Sequence, residues 1–240
     1  MSNARVWLAT LSGNLYLVVG SFFFGLLASV LGWIPPRGNW MFLCARAWSK
    51  GLLWASGVQV VARGARLEPH GRYIFMANHR SLFDIPVLIA TLPGQVRFLA
   101  KQSLFRIPIF GWALKAGGFI PIDRQDRSRA RDAFSAAVDR LAGGSSILLF
   151  PEETRALDHR LLPFQRGGFL LALKSGLPIV PVGIRGTLEV QRRGSLAVRP
   201  GRVEVEYGEP MPIGSFAVSR KKELIDSVRA RVAELAKAEL

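Results

Sequence analysis

From about residue 57 onward, the chain alternates between short apolar runs and longer stretches in which apolar residues recur at helical spacing. Several of the short runs are almost continuously apolar, which is typical of strands buried on both faces. Helices predicted at 103–115, 127–142 and 164–175, with an amphipathic closing helix at 217–239, complete the alternation of an α/β fold. We expect a mixed, largely buried sheet flanked by helices. The predicted strands are residues 58–62, 72–77, 96–100, 118–122, 146–150, 179–184 and 202–207.

The N-terminal region has a different pattern, because residues 6–36 contain no charged side chain. The run Leu15–Ile34 has 20 residues, about 30 Å as a helix, which is enough to cross the hydrocarbon core of a bilayer. Three forms fit this pattern: a single span, a re-entrant pair of helices broken near Gly13-Asn14, or a buried core helix. We therefore predict an apolar N-terminal membrane helix or helix pair.

Tryptophan and basic residues are interleaved just after this run. Four of the six tryptophans fall between residues 33 and 54, together with Arg37, Arg46 and Lys50. Such a mixture is typical of a helix at the level of lipid headgroups, and equally of a core-packing helix with a solvated basic edge. Since Arg5 alone precedes the apolar run, the positive charge after it predicts that the bulk of the chain is cytoplasmic. We divide the chain into a membrane-associated helical segment, 1–56, and an α/β domain, 57–240.

The overall charge indicates an anionic partner. Lysine and arginine number 32 against 17 aspartate and glutamate residues, the formal charge is +15, and the mean hydropathy is +0.24. The high hydrophobicity favours anionic membrane lipid as this partner. Nucleic acid is less favoured, because the arginines are spread along the chain and not gathered in a nucleic-acid-binding motif. The one dense basic run, 123–132, fits a solvated helix face, a lipid patch or a dock for an acidic carrier protein. The single cysteine, Cys44, excludes an intramolecular disulfide and a cysteine-rich zinc site.

The first candidate for chemistry is the segment ANHRSLFDIP, residues 77–86, in which His79 precedes Asp84 by five positions. On a regular helix these side chains would lie about 140° apart, so they meet only if the chain turns between them. Pro86 predicts that turn, because proline suits the first turn of a helix, which would then begin near Asp84. A base and its orienting carboxylate would result. An N-cap role for Asp84 and a surface position for His79 explain the same residues, and the pair alone is a weak signal.

Charged residues also follow two further predicted strands. Asp123 and Arg124 come directly after strand 118–122, and Glu152 and Arg155 follow strand 146–150. Arginine at such strand ends suits a bidentate grip on phosphate or carboxylate. At one turn, solvated ion pairs of little individual worth explain the pattern better. Three such turns on one sheet edge favour a binding and catalytic site.

Four blocks in this order resemble those of the glycerolipid acyltransferases: NHRSLFD (78–84), GGFIPIDR (117–124), FPEETR (150–155) and LPIVPV (177–182). Within that family the chain looks most like bacterial 1-acylglycerol-3-phosphate (lysophosphatidate) acyltransferases, from about residue 57 to 212. The resemblance implies transfer of an acyl chain from acyl-CoA or acyl carrier protein to a lysophospholipid hydroxyl, without cofactor or metal. It also implies a membrane location, at the cytoplasmic face of the bacterial inner membrane.

The resemblance implies roles for individual residues as well. His79 would be the general base, and Asp84 would hold its ring and fix its tautomer. One departure is Glu153, which stands where the family usually has glycine. A carboxylate there opposes a dianionic acceptor, so acylation of another lysolipid is the alternative. By motif position, binding of the acceptor's glycerol phosphate carries over to Lys101, Arg124, Glu152, Thr154 and Arg155.

Overall fold

The computed structural model describes residues 3–35, 38–68, 70–122, 137–139, 143–214 and 220–240. All seven predicted strands are present in these residues, with bounds within two residues of those expected. They form one sheet and are β1 (Val58–Gly64), β2 (Ile74–Ala77), β3 (Val96–Lys101), β4 (Ile120–Ile122), β5 (Ser146–Leu149), β6 (Ile179–Arg185) and β7 (Gly201–Tyr207). Their order across the sheet is β1-β7-β6-β2-β5-β3-β4.

Five neighbouring strands, β6, β2, β5, β3 and β4, run parallel to one another. Their carboxyl ends therefore lie along one side of the sheet, which we call the carboxyl edge. β7 runs antiparallel to β6 and pairs in parallel with β1, so the carboxyl end of β1 lies on the opposite edge. The sheet is mixed, as predicted. Every residue of β2 and β5 is buried, which accounts for their continuous apolar runs.

The helices confirm most of the predicted pattern. α3 begins at Asp84, as Pro86 predicted. The segment expected to be helical at 103–115 is helical but divided into a 3₁₀ helix and α4, because Pro108 lacks the N–H that a continuous helix needs. The helix expected at 127–142 and the basic run 123–132 lie outside the described residues, except that 137–139 are helical. The elements are α1 (Asn3–Leu31), α2 (Asn39–Ala55), α3 (Asp84–Thr91), the 3₁₀ helix (Gln102–Arg106), α4 (Phe110–Ala116), α5 (Gly167–Ser175), α6 (Thr187–Val190) and α7 (Lys221–Ala236).

A hydrophobic core lies on each face of the sheet. Phe75 and Ala77 of β2 pack into the core that contains residues of α2, α3 and α4. Ile74 and Met76, which alternate with them, pack into the core formed with α5 and α7. This division follows from the two-residue period of a strand. Because β2 is covered on both faces, the residues that follow it emerge only at the carboxyl edge.

α1 is one continuous helix of 29 residues, long and apolar enough to cross a membrane. Its apolar side chains are largely exposed, and 17% of its most apolar window is buried, which argues against a buried core helix. Of the three forms, the re-entrant pair broken near Gly13-Asn14 is not the one observed, since α1 is continuous through both residues. Gly13 instead allows α1 to approach the end of α2, because a Cβ at this position would lie 2.6 Å from the Ser56 hydroxyl.

α2 shows features of both predicted arrangements. Met41 and Phe42 are buried in the core beneath α2, and Trp48 Nε1 donates to Ser21 Oγ of α1 at 3.1 Å. On its outer side Trp54 is 84% exposed. α2 therefore packs on the core through one face and presents tryptophan to its surroundings through another. The boundary at residues 56 and 57 stays a prediction.

Candidate active site

Asn78, the first residue after β2, fixes the chain at the carboxyl edge. Its side-chain amide donates to the carbonyl of Ile184 in β6 at 3.0 Å, and its oxygen accepts from the N–H of Ile184 at 2.7 Å. The side chain is fully buried, so both hydrogen bonds are shielded from water. This clamp continues the pairing of β2 and β6 by one residue and sets the direction in which His79 leaves the sheet. Sequence reasoning missed Asn78, although it is the first polar residue after an apolar strand.

The structure brings His79 and Asp84 together, as the turn predicted. Asp84 Oδ2 lies 2.7 Å from His79 Nδ1, and it also accepts from the backbone N–H groups of Arg80 at 2.7 Å and Ser81 at 2.8 Å. The Asp84 side chain is completely buried, whereas the His79 side chain is 15% exposed. Since an ionised carboxylate only accepts hydrogen bonds, we assign the proton to Nδ1, which leaves the Nε2 lone pair free to accept one.

Asp84 is not the N-cap of α3, because the helix begins at Asp84 and its N-cap is Phe83, without a side-chain capping bond. The bond from the Ser81 N–H to the Asp84 carboxylate has the spacing of one arm of a capping box, but the Ser81 hydroxyl accepts from the N–H of Phe83 and not from that of Asp84, so the box is not formed. Ser81 Oγ accepts from the N–H of Phe83 at 3.2 Å and donates to the carbonyl of Gln191 at 2.8 Å. One carboxylate oxygen thus stabilises the turn and holds the histidine ring, because the turn itself brings all three donors to it.

The histidine is held from the β5 side as well. Its ring stacks on Phe150, with ring centroids 4.1 Å apart and an interplanar angle of 20°. Its backbone N–H donates to Glu152 Oε1 at 2.6 Å, and its carbonyl accepts from the N–H of Ala156 at 2.8 Å. The backbone and ring of His79 are therefore both fixed by the loop that follows β5. Phe150 was not singled out from the sequence, although it opens the FPEETR block.

Glu152, in the loop after β5, connects this loop to His79 and to Leu162 through its buried carboxylate. Only 3% of the residue is exposed. While Oε1 accepts from His79, Oε2 accepts from the N–H of Leu162 at 2.9 Å. Burial raises the pKa of Glu152, and the two amide hydrogen bonds and the nearby charge of Arg80 offset part of that rise. Both oxygens serve backbone amides, so this geometry gives Glu152 a positioning function; its contact with a substrate stays a prediction.

The other predicted acceptor-binding residues lie along the same edge. Lys101 is the last residue of β3 and is exposed. The neighbour order β2-β5-β3 separates it from His79 by two strand spacings, about 10 Å along the edge. In the loop after β5, Thr154 is exposed and Arg155 is half-buried. Arg193 Nη1 lies 3.4 Å from both Thr154 Oγ1 and the Arg155 carbonyl. Arg124 lies outside the described residues.

Glu153 occupies a conformation that suits glycine. Its φ is 57°, in the left-handed region, and its N–H donates to the carbonyl of Phe150 at 2.9 Å to close a tight turn. Left-handed backbone costs a residue with a Cβ about 1–2 kcal/mol. The glycine that resembling sequences have here therefore has a conformational reason, and this chain retains the turn with a half-buried glutamate in that position.

Comparisons with known proteins show which family the chain belongs to. A family model described as Acyltransferase matches residues 59–185. The chain is 35% identical over 162 residues to the chloroplastic 1-acyl-sn-glycerol-3-phosphate acyltransferase BAT2 of Brassica napus, covering 67% of this chain and 45% of the relative. It is 32% identical over 187 residues to the 1-acyl-sn-glycerol-3-phosphate acyltransferase of Salmonella typhimurium, covering 75% of this chain and 76% of the relative.

The fold matches as well. The crystal structure of the 1-acyl-sn-glycerophosphate (LPA) acyltransferase PlsC from Thermotoga maritima is similar with a TM-score of 0.82 and 26% identity, over 100% of this chain and 99% of that one. The chain spans about half the length of the first curated relatives that it matches. The family model extends over more than half of the chain and includes the His79, Asp84 and Glu152 positions. This chain therefore belongs to the acyltransferase family, among the 1-acyl-sn-glycerol-3-phosphate acyltransferases.

Proposed function

We propose that this chain moves a fatty acyl group from a thioester donor, acyl-CoA or acyl carrier protein, to the free hydroxyl of 1-acylglycerol-3-phosphate, forming phosphatidate. The observation that carries the proposal is the pair at the carboxyl edge, in which the buried Asp84 carboxylate lies 2.7 Å from His79 Nδ1. Nε2 remains as a proton acceptor on a histidine fixed through both its ring and its backbone. The relatives named as acyltransferases support the same reaction.

The chemistry follows from that tautomer. Nε2 of His79 accepts the proton of the acceptor hydroxyl while the hydroxyl oxygen forms a bond to the thioester carbonyl carbon. Collapse of the tetrahedral intermediate breaks the carbon–sulfur bond, and the imidazolium returns its proton to the departing thiolate. Asp84 stabilises the imidazolium between these two events. A positioned base of this kind contributes a factor of about 10²–10⁴ to the rate. No acyl-enzyme forms, since the hydroxyl attacks the donor directly.

The acceptor's phosphate is proposed to lie on the β5 and β3 side of His79. Lys101 and Arg155 place positive charge on that part of the carboxyl edge, and the hydroxyl of Thr154 adds a hydrogen-bonding group. Arg124, by its motif position, would join them. Arginine offers the phosphate a bidentate contact and lysine a point charge. Glu152 would act in acceptor binding through the loop geometry that it maintains.

A second candidate function is acylation of a lysolipid other than lysophosphatidate. The observation that favours it is Glu153, whose carboxylate stands on the turn beside the proposed phosphate site, where the resembling sequences have no side chain. A negative charge there repels a phosphate dianion and attracts a positively charged or zwitterionic headgroup. Both candidates use the same base and the same donor, and they differ only in the acceptor.

We also propose that α1 attaches the chain to the membrane, with the remainder at the cytoplasmic face. Exposed apolar side chains such as Trp7 and Val18 cover the helix, which is long enough to span. A lipid acceptor would then reach the site without leaving the bilayer. Basic residues elsewhere on the chain would contact anionic membrane lipid.

The reaction is tested with purified full-length protein in detergent, given labelled acyl-CoA or acyl carrier protein and a panel of lysolipid acceptors. We expect labelled phosphatidate from lysophosphatidate, and a loss of at least about 100-fold in His79→Ala. His70→Ala, an exposed histidine in a loop, is the matched control and should keep wild-type activity. Equal rates for wild type and His79→Ala would refute the assignment of the base. A preference for another acceptor would establish the second candidate.

A further inference from the structure

A second group of cations lies at the carboxyl edge, on the other side of His79. A cleft of about 420 Å³ opens between the carboxyl end of β6, helix α6, the start of β7 and the end of α7. We call it the basic cleft. The charged residues that line it include five cations and one carboxylate: Arg80, Arg185, Arg199, Arg202, Lys237 and Glu189.

Two of these cations are already neutralised within the protein. Arg185 pairs with Glu204 at 2.9 Å and with Glu206 at 3.0 Å, and Arg202 pairs with Glu204 at 3.1 Å. Arg199 and Lys237 are exposed, and neither side chain makes an ion pair or hydrogen bond within the described residues. The cleft therefore presents positive charge that the fold does not use.

Arg80 connects the cleft to the catalytic pair. It is 3% exposed, and its backbone N–H is one of the three donors to Asp84. Its side chain turns away to line the cleft, where Nη2 donates to the His159 carbonyl at 2.7 Å. Its Nε is buried without a hydrogen-bond partner among the described residues. A buried guanidinium with an unused donor is costly, and an anion in the cleft would lower that cost.

The order of the strands separates the two cationic groups. Along the edge, β2 carries His79, β5 and β3 carry the residues proposed for the acceptor phosphate, and β6 and β7 carry the basic cleft. The reaction has two substrates, and both carry phosphate. Because the acceptor is proposed on the β5 side, the cleft on the β6 side is available for the donor. This step rests on the proposed function.

We infer that the basic cleft binds the phosphate groups of a coenzyme A thioester, with the pantetheine arm passing Arg80 to bring the thioester to His79. The cleft is concave and within the size range of small-ligand sites, which suits the 3′-phosphorylated ADP end of coenzyme A. A carrier protein docks through a whole helix, which needs an open surface and not a concave cleft of this size. Arginine forks match phosphate oxygens and can stack on the adenine ring.

The test uses the double variant Arg199→Glu/Lys237→Glu of the full-length protein, because neither side chain makes an ion pair or hydrogen bond with another residue that the structure describes. The KM for acyl-CoA should rise about tenfold, with kcat and the KM for lysophosphatidate unchanged, since only donor binding loses an attraction. The matched control is Arg66→Glu, an exposed arginine beyond the carboxyl end of β1 on the opposite sheet edge. It should leave all three constants as in the wild type.

Four donors with the same acyl chain identify what the cleft recognises: the thioesters of coenzyme A, of 3′-dephospho-coenzyme A, of N-acetylcysteamine and of acyl carrier protein. The penalty of the double variant should shrink for the dephospho donor and vanish for the phosphate-free one. An equal penalty with the phosphate-free donor overturns the inference, as does a rise in the acceptor KM instead. A penalty confined to the carrier-protein donor would replace it with a protein dock.

A binding measurement keeps this inference separate from the proposed function. Calorimetric titration with adenosine 3′,5′-bisphosphate should show binding to the wild type and to Arg66→Glu, and at least tenfold weaker binding to the double variant. Absence of acyl transfer by the wild type from every donor would defeat the proposed function. The titration would still show whether the basic cleft binds the phosphate groups of coenzyme A. Equal binding to wild type and double variant defeats the inference about the cleft.

Discussion

Replacement of Asp84 by asparagine probes the centre of the site with the smallest change in shape. Asp84 Oδ2 accepts three hydrogen bonds at 2.7, 2.7 and 2.8 Å, and Oδ1 is buried with no hydrogen-bond partner in the described part of the chain. Asparagine keeps one oxygen for the three donors but replaces charge-assisted bonds of about 1.5–3 kcal/mol each by neutral ones of about 0.5–1.5 kcal/mol. It also places a buried NH₂ group where Oδ1 had no partner, which adds about 1–3 kcal/mol.

These contributions do not add simply, because one rotation of the amide affects all of them. We expect a loss of about 2–4 kcal/mol in the free energy of unfolding, within the range of buried polar substitutions that leave a folded protein. The rate should fall by more than stability alone explains. The neutral amide oxygen still accepts from Nδ1–H, but it no longer stabilises the positive charge of the imidazolium that forms when His79 takes the hydroxyl proton.

The assay combines urea unfolding with initial rates of phosphatidate formation at a temperature where both proteins are fully folded. We expect kcat to fall by about 10²–10⁴-fold. Asp158→Asn is the matched control, since Asp158 is exposed and, among the residues that the structure describes, accepts one hydrogen bond, from the N–H of Arg160 at 2.9 Å. It should change neither quantity. An Asp84→Asn protein that is folded and retains a third or more of the wild-type kcat would refute the assignment of Asp84 as the orienting carboxylate.

Three further predictions follow from other parts of the structure. Glu153→Gly should relieve left-handed strain and raise the free energy of unfolding by up to about 1 kcal/mol, after the entropy of glycine is subtracted. Glu153→Ala removes the carboxylate but keeps the left-handed strain. If the KM for lysophosphatidate falls in both variants, the charge of Glu153 is the cause. If it falls in neither, Glu153 does not affect the choice of acceptor. Burial raises the pKa of Glu152 above its ordinary value of 4.5, so near that pH the folded state binds more protons than the unfolded state. The contribution of Glu152 to the free energy of unfolding is therefore lost as pH rises from below 4.5 through the raised pKa. The difference in unfolding free energy between wild type and Glu152→Gln should change across that interval, and a constant difference would contradict the linkage. Val18 and Phe22 lie on one exposed face of α1. Replacing both by lysine should release the protein from membranes on carbonate washing, whereas replacing both by alanine should not. Retention of the lysine variant in the membrane would count against membrane insertion of α1.

Local patterns in the sequence were sufficient for most of the elements. The strands were predictable because runs such as 146–150 are apolar at every position, and burial on both faces of a parallel sheet demands this. The turn at His79 was predictable because Pro86 restricts where a helix can begin, and α3 does begin at Asp84. Two details were not foreseen: Pro108 divides the helical segment expected at 103–115, and Gly13, where one of the three N-terminal forms would break, serves close packing of α1 on Ser56.

The sequence by itself determined the elements, the turn that joins His79 to Asp84 and the cationic character of the strand ends, since each depends on neighbouring residues. The tertiary structure alone decided which strands are neighbours, and therefore which loops meet. The Asn78 clamp on Ile184 joins residues 106 apart, and Glu152 reaches the His79 amide across 73. The basic cleft gathers Arg80, Arg199 and Lys237 from separate elements. Such contacts depend on the order of strands in the sheet, and local periodicity and turn propensity carry no record of that order.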